Sequence, residues 1–218
     1  IIPAGSQTFS KGVTQFVEGF APKYLHRGKG AYVWDVDENK YLDYVMGCQP
    51  IILGYADPDI NKAVFKQLEL GSTFSLMNKL EVDVTELLID KIPCAQSARF
   101  GKNGADVTTI AVRIARAITG RDHIAYCGYH GWHDWYIANT DLNSGIPKFN
   151  QKLSHSFNYN DLDSLEKIFK NKTDKVACVI MEPLTILEPT CYGPKNCKKT
   201  ACKKFCQRNF LSEVKKMA

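Results

Sequence analysis

Three short stretches of this chain carry residue types that can do chemistry, and each lies where a run that reads as a strand gives out. The first is Gly101-Lys102-Asn103-Gly104-Ala105, ahead of a run whose apolar positions Ile110, Ile114, Ala115 and Ile118 have helical spacing. A loop feeding a helix N-terminus binds anions, because free backbone N–H groups and the positive end of the helix dipole face outward. Gly104 lets the backbone come close to such a ligand. A tight turn before a capped helix is the alternative reading. The loop is neither a Walker loop nor a dinucleotide fingerprint, since it lacks the spaced glycines of both.

The second stretch is Gly128-Tyr129-His130-Gly131-Trp132-His133-Asp134, directly after a strand expected over His123–Cys127. In an open α/β sheet, ligands sit beyond the carboxyl ends of strands, and Tyr129 there could stack on a planar cofactor ring. An aromatic loop packed on itself is the alternative. A metal bound by His130, His133 and Asp134 is a further one, but two histidines three apart lack a third ligand at fixed spacing. The third stretch is Glu182-Pro183, at the end of the apolar run Val176–Met181. A carboxylate there points into the same crevice or pairs with a nearby base.

The elements that must position these residues follow from the pattern. Residues 31–37 and 41–45 are aromatic and β-branched runs flanking Glu38-Asn39-Lys40, an antiparallel hairpin. Asp57-Pro58 opens a helix with Ile60, Val64 and Leu68 on one face and Gly71 closing it. Asn78 and Glu81 have capping-box spacing at the head of a second helix carrying Leu80, Val84, Leu87 and Leu88, and Pro93 ends that pattern. From about residue 98 short strands and helices alternate, as in a parallel sheet. Strands are expected over 98–100, 123–127, 154–157 and 176–181, with helices over 105–119 and 161–170. The last strand is apolar on both faces and suits the middle of a sheet covered by helices. The domains expected are an N-terminal lobe over 1–70 and a larger α/β domain over 71–218.

Composition excludes several classes. With 44% hydrophobic and 23% charged residues the 218-residue chain resembles an average globular protein, so disorder is not expected. No run approaches the roughly 18 apolar residues of a membrane span, and the start lacks the pattern of a signal peptide, so the expectation is a cytoplasmic protein without membrane contact. The net charge of +5 is concentrated in residues 195–216, with eight Lys/Arg against one Glu, and a nucleic-acid partner is not expected from so local an excess. Of eight cysteines, Cys94, Cys127 and Cys178 read as small core residues of a reducing compartment. Cys191, Cys197, Cys202 and Cys206 crowd a Lys-rich insertion at about 190–208. Their spacing fits no standard ligand pair, so reduced thiols are preferred to a zinc or iron-sulfur site. The chain starts at Ile1 and stops inside an expected helix, and both ends read as cuts in something longer.

Taken in order, the motifs carry a resemblance. Asn103-Gly104-Ala105-Asp106, then Ala111-Val112-Arg113-Ile114-Ala115-Arg116-Ala117, Thr119-Gly120-Arg121-Asp122 and Gly128-Tyr129-His130-Gly131, resemble class III aminotransferases, in which a Ser-Gly-Thr-Glu loop precedes the same helix. Upstream, Gly30-Ala31-Tyr32-Val33-Trp34-Asp35-Val36-Asp37, Tyr41-Leu42-Asp43-Tyr44 and Ile52-Leu53-Gly54 resemble the glutamate-1-semialdehyde aminomutases of that family in particular. The likeness runs from about Pro3 to Pro183 and resumes at Phe210.

The resemblance implies an α/β fold of the PLP-dependent transferase fold type I: a mostly parallel sheet with helices on both faces and a small N-terminal lobe. It implies pyridoxal 5'-phosphate (PLP) as cofactor and amino-group transfer between small-molecule donors and acceptors, as aminotransferase or aminomutase, in a homodimer. Asn103, Gly104 and Ala105 would hold the phosphate through backbone amides, with Asn103 and Ala105 standing where the family has hydroxyl residues. Tyr129 would stack on the pyridine ring, His130 would support the loop and Glu182 would lie near the cofactor. The family's Schiff-base lysine and its carboxylate for the pyridine nitrogen are expected on later strands, so no catalytic residue is assigned here. On the substrate side, Thr8 and Lys11 stand where the aminomutase has a serine and an arginine, and Cys48 where it has a pocket tryptophan. Lysine cannot form the bidentate fork of arginine on a carboxylate. That points to a related aminotransferase, such as one serving amino-sugar or glycan synthesis. The competing class is a non-catalytic remnant that binds a partner through the basic cysteine segment, with or without a metal.

Overall fold

The computed structural model describes residues 1–172, 174–193 and 208–218. Cys197, Cys202 and Cys206 lie outside the described residues. The chain divides into two compact units, Ile1–Pro93 and Cys94–Ala218. The second helix therefore falls in the first unit, past the lobe boundary expected at residue 70.

In the first unit, strands β1 (Leu25–Lys29), β2 (Tyr32–Asp35) and β3 (Lys40–Leu42) form an antiparallel sheet in the order β1-β2-β3. Of these, β1 was not expected, because Leu25-His26-Arg27-Gly28-Lys29 lacks apolar alternation. Its place comes from pairing with β2 and from Arg27, whose guanidinium donates to Glu38 at 2.7 Å and lies 3.9 Å from the Trp34 ring centre. Asp35 is buried and accepts from the N–H groups of Asp37 and Asn39, the Asn39 amide and the Tyr41 hydroxyl. Those four bonds hold its carboxyl below the usual carboxylate range against the opposing effect of burial. Helix α1 (Pro58–Leu70) is capped by Asp57, and α2 (Lys79–Lys91) opens on the Asn78–Glu81 capping box. Neither helix has a buried residue, so their apolar faces stand exposed.

In the second unit, β4 (His123–Cys127) is flanked by β5 (Ser154–Ser156) and β6 (Val176–Met181), both parallel to it. Strand pleating explains the two cores. Ala125 and Cys127 face one way and join Phe157 with Leu165 of α6 (Leu162–Asn171) and Phe210 and Val214 of α7 (Phe210–Met217). Ile124 and Tyr126 face the other way and join Val112 of α3 (Gly104–Thr119) with Trp135 and Tyr136 of α4 (Asp134–Ile137). A register shift at the start of β6 pairs His123 with Val176 but Ile124 with Cys178, which leaves Val176 on the same side as Val179 and Met181. Both faces of β6 are thus partly covered, in keeping with its unbroken apolar sequence.

Three expectations need correction. Residues 98–100 form no strand, since they pair with no other strand among the described residues. β4 is the middle strand, and β6 is an edge among the described residues. Cys94 is exposed rather than in the core, whereas Cys127 is buried and Cys178 intermediate. The short helix α5 (Lys148–Leu153) was also unforeseen. No helix among the described residues is long and apolar enough to cross a membrane. Residues 190–192 and 208–210 pair with each other: Tyr192 N–H donates to Arg208 O, Phe210 N–H donates to Thr190 O, and the Asn160 side chain accepts from Thr190 N–H.

Candidate cofactor site

The ends of β4 and β6 and the start of α3 converge on one place. Asn103 caps α3: its Oδ1 accepts from Asp106 N–H at 3.1 Å, and the Asp106 carboxylate accepts from Asn103 N–H at 3.2 Å. A capping box uses two of the helix's orphan donors. The N–H groups of Gly104 and Ala105 have no acceptor among the described residues. Apart from its own stretch of helix, no atom lies within 4 Å of where a Cβ on Gly104 would be, so open space stands beside Gly104, while Ala105 is buried against Gly131. Two unpaired amides, a helix dipole and room beside Gly104 fit a phosphate.

The loop after β4 lies against this helix end. A Cβ on Gly131 would come 2.6 Å from Ala105 Cβ, and the φ of +101° there is a glycine conformation. Thr108 Oγ1 lies 2.9 Å from His130 O and 3.1 Å from Ala105 O, tying loop to helix. His130 is buried among Tyr126, Trp135 and Tyr136, with Nε2 2.9 Å from Cys127 O. A carbonyl only accepts, so Nε2 carries the proton. Burial pushes the His130 pKa below the ordinary histidine value, against the raising effects of that hydrogen bond and of Glu182. The ring is therefore a neutral strut. Tyr129, next to it, is 68% exposed, with only an edge contact to Tyr136 at 5.8 Å. Most of that side chain is therefore open to solvent.

Glu182 follows β6, and its N–H donates to Cys127 O at 3.3 Å. Its carboxylate packs on Gly128. Burial, then Glu182, raises the pKa of the Cys127 thiol, which is inert core. Asn103, Gly104, Ala105, Tyr129, His130 and Glu182 are thus all in the second unit at one end of its sheet. Lys11 and Cys48 are in the first unit, where both line a cavity of about 650 Å³. Thr8 is also in the first unit, but it is not part of that lining. Cys48 Sγ lies 3.8 Å from Ser10 Oγ.

Sequence reasoning missed Asp106, Thr108, Thr109 and Trp135. Thr109 Oγ1 lies 2.8 Å from His133 Nδ1 and accepts from Trp135 Nε1–H at 2.9 Å. The signal available was a pair of threonines on the helix flank facing an aromatic loop. His130 and His133 turn to different partners, and among the described residues no three His, Cys, Asp or Glu side chains cluster as a metal would need.

The chain is 41% identical over 170 residues to a 3-aminobutyryl-CoA aminotransferase of Cloacimonas acidaminovorans, an alignment covering 78% of this chain and 40% of that protein. It is 35% identical over 177 residues to a glutamate-1-semialdehyde 2,1-aminomutase of Chloroflexus aurantiacus, covering 76% and 40%. Among solved structures it resembles an omega-transaminase from Sphaerobacter thermophilus, with a TM-score of 0.77, 29% identity and coverage of 87% of this chain and 46% of that one. It also resembles the PLP internal aldimine form of the FumI protein of Sphingopyxis sp. MTA144, with a TM-score of 0.76, 33% identity and coverage of 82% and 42%. The chain spans about 40% of the length of these curated relatives. Its fold is that of the fold type I transaminases, with a parallel sheet between helices. Residues 17–210 match the class-III aminotransferases, and the chain belongs to that family.

Proposed function

We propose that these residues form the phosphate-anchoring and ring-facing part of a PLP-dependent enzyme that transfers amino groups between small molecules. The observation that carries the reading is the pair of N–H groups at Gly104 and Ala105 without an acceptor among the described residues, with open space at Gly104 and with the loop that carries the exposed Tyr129 packed on Ala105 through Gly131. When bound, PLP supplies an electron sink for charge developing on the substrate carbon. Gly104 and Ala105 donate to the phosphate, and the helix dipole adds to their attraction. Tyr129 covers one ring face. His130 keeps the loop in place, and Glu182 sets the polarity of the strand ends. Lys11 and Cys48 serve the substrate side, with Thr8 nearby in sequence.

A lysine at position 11 suits a substrate whose carboxyl is not gripped bidentately. The name of the 41%-identical relative contains a thioester, 3-aminobutyryl-CoA, in which the acid group is no longer free. We therefore favour transamination of an amino compound over the aminomutase shift. The exposed apolar faces of α1 and α2, with Ile60, Val64 and Leu68 on the first, favour a homodimer in which a second subunit covers them.

The test is equilibrium titration of the chain with PLP and with pyridoxal, which lacks the phosphate. Preference for PLP supports the cup; equal affinities remove it from the cofactor site. Transfer itself is read on the whole enzyme as conversion of an amine donor to its carbonyl product.

A further inference from the structure

A carboxylate stands in the first turn of α3, close in the chain to the unpaired amides of Gly104 and Ala105. Asp106 is half-buried in the first turn of the helix, and its Oδ2 accepts from Asn103 N–H. Its other oxygen, Oδ1, lies 3.8 Å from His133 Nε2. That ring is held from behind. Trp135 Nε1, which can only donate, gives its proton to Thr109 Oγ1 at 2.9 Å. The same hydroxyl lies 2.8 Å from His133 Nδ1, which turns the other ring nitrogen, Nε2, toward Asp106. The line Trp135–Thr109–His133–Asp106 joins the loop after β4 to the helix end.

We propose that His133 is a positioning residue for the anion cup: through Nε2 it keeps the Asp106 carboxylate on the Asn103 side of the helix end and off the Gly104 and Ala105 N–H groups. The inference rests on the cofactor reading above. A carboxylate released from this hold competes for the same two donors and sets a like charge beside an incoming phosphate. His133 therefore acts on phosphate affinity without touching the phosphate. Thr109 and Trp135 act one and two steps further back.

The experiment titrates the full chain with PLP and with pyridoxal, following quenching of tryptophan fluorescence. His133→Leu is expected to weaken PLP about five- to tenfold while leaving pyridoxal unchanged, and His133→Gln, which restores an N–H near the Nε2 position, to recover most of the loss. Thr109→Val, a smaller change, is expected to move PLP affinity the same way, with Thr109→Ser restoring it. On an Asp106→Asn background His133→Leu is expected to have no effect, because the charge it manages is gone. The proposal is overturned if His133→Leu and Thr109→Val both keep PLP affinity, if either loses PLP and pyridoxal equally, or if the effect persists with Asn at position 106. A wild-type chain with no preference for PLP would instead overturn the cofactor reading, and this inference with it.

Discussion

Gly128 and Glu182, the first residues beyond β4 and β6, occupy one shared space: a Cβ on Gly128 would stand 2.7 Å from Glu182 Oε2 and 3.0 Å from its Cγ. Gly128 also has a φ of +91°, where side chains other than hydrogen are strained. Gly128→Ala is expected to cost about 1–3 kcal/mol of stability through backbone strain and to push the Glu182 side chain away from the loop. Denaturant unfolding reads the first effect and PLP titration the second. A variant as stable as wild type with unchanged PLP affinity would show that this contact matters to neither.

Gly104 makes the opposite case. Apart from its own stretch of helix, nothing lies within 4 Å of its missing Cβ, and its φ is not in the left-handed region, so a Cβ there meets no other part of the protein. Gly104→Val is expected to leave the unfolding midpoint near wild type while weakening PLP by more than about tenfold, because the side chain fills the space a phosphate needs. Unchanged PLP affinity would place the phosphate elsewhere.

The second unit should lose stability in mild acid. His123, His130 and His155 all have pKa values below the ordinary histidine value, each with burial as the main cause, joined by Lys172 and Lys175 at His123 and by His123 and Lys172 at His155. In the unfolded chain they take protons near pH ~6.5, before the native state does, so unfolding binds protons and stability rises with pH in that window. Their contribution is fully present above about pH 6.5 and is lost as pH falls through the lower native values. Unfolding measured across this range should show that slope, and His130→Gln should flatten it.

Residues 1–218 by themselves should not form one specific imine with PLP. No lysine lies among the site residues at the ends of β4 and β6, and the chain spans about 40% of its curated relatives. Incubation with PLP, borohydride reduction and peptide mapping is expected to give scattered, substoichiometric lysine labelling without turnover. A single stoichiometric pyridoxyl-lysine accompanied by turnover would contradict this.

Much of this arrangement was legible in the sequence because its determinants are local. Asp57-Pro58, Asn78 with Glu81, and Asn103 ahead of Gly104 each announce a helix start through atoms within three or four residues, and Gly120 in the left-handed conformation ends α3 the same way. His123–Cys127 and Val176–Met181 declare themselves as strands by their short, largely apolar runs. The roles proposed for the loops at 101–105 and 128–131 rest on motif resemblance, which compresses tertiary information into sequence. Other features depended on distant partners. Leu25–Lys29 became a strand only because Tyr32–Asp35 lay beside it, and residues 98–100 stayed irregular for want of such a neighbour. Cys94 looked like a core residue from its apolar surroundings, yet it is exposed, because burial depends on what packs above a position. The line from Trp135 through Thr109 and His133 to Asp106 had no local signature at all. Its hydrogen-bonded members are 24 and 26 residues apart, and only the packing of α3 against the loop after β4 brings a hydroxyl, an imidazole and an indole within bonding distance. Helix caps are set by the chain next to them; hydrogen bonds between side chains far apart in sequence exist only once the backbone has folded around them.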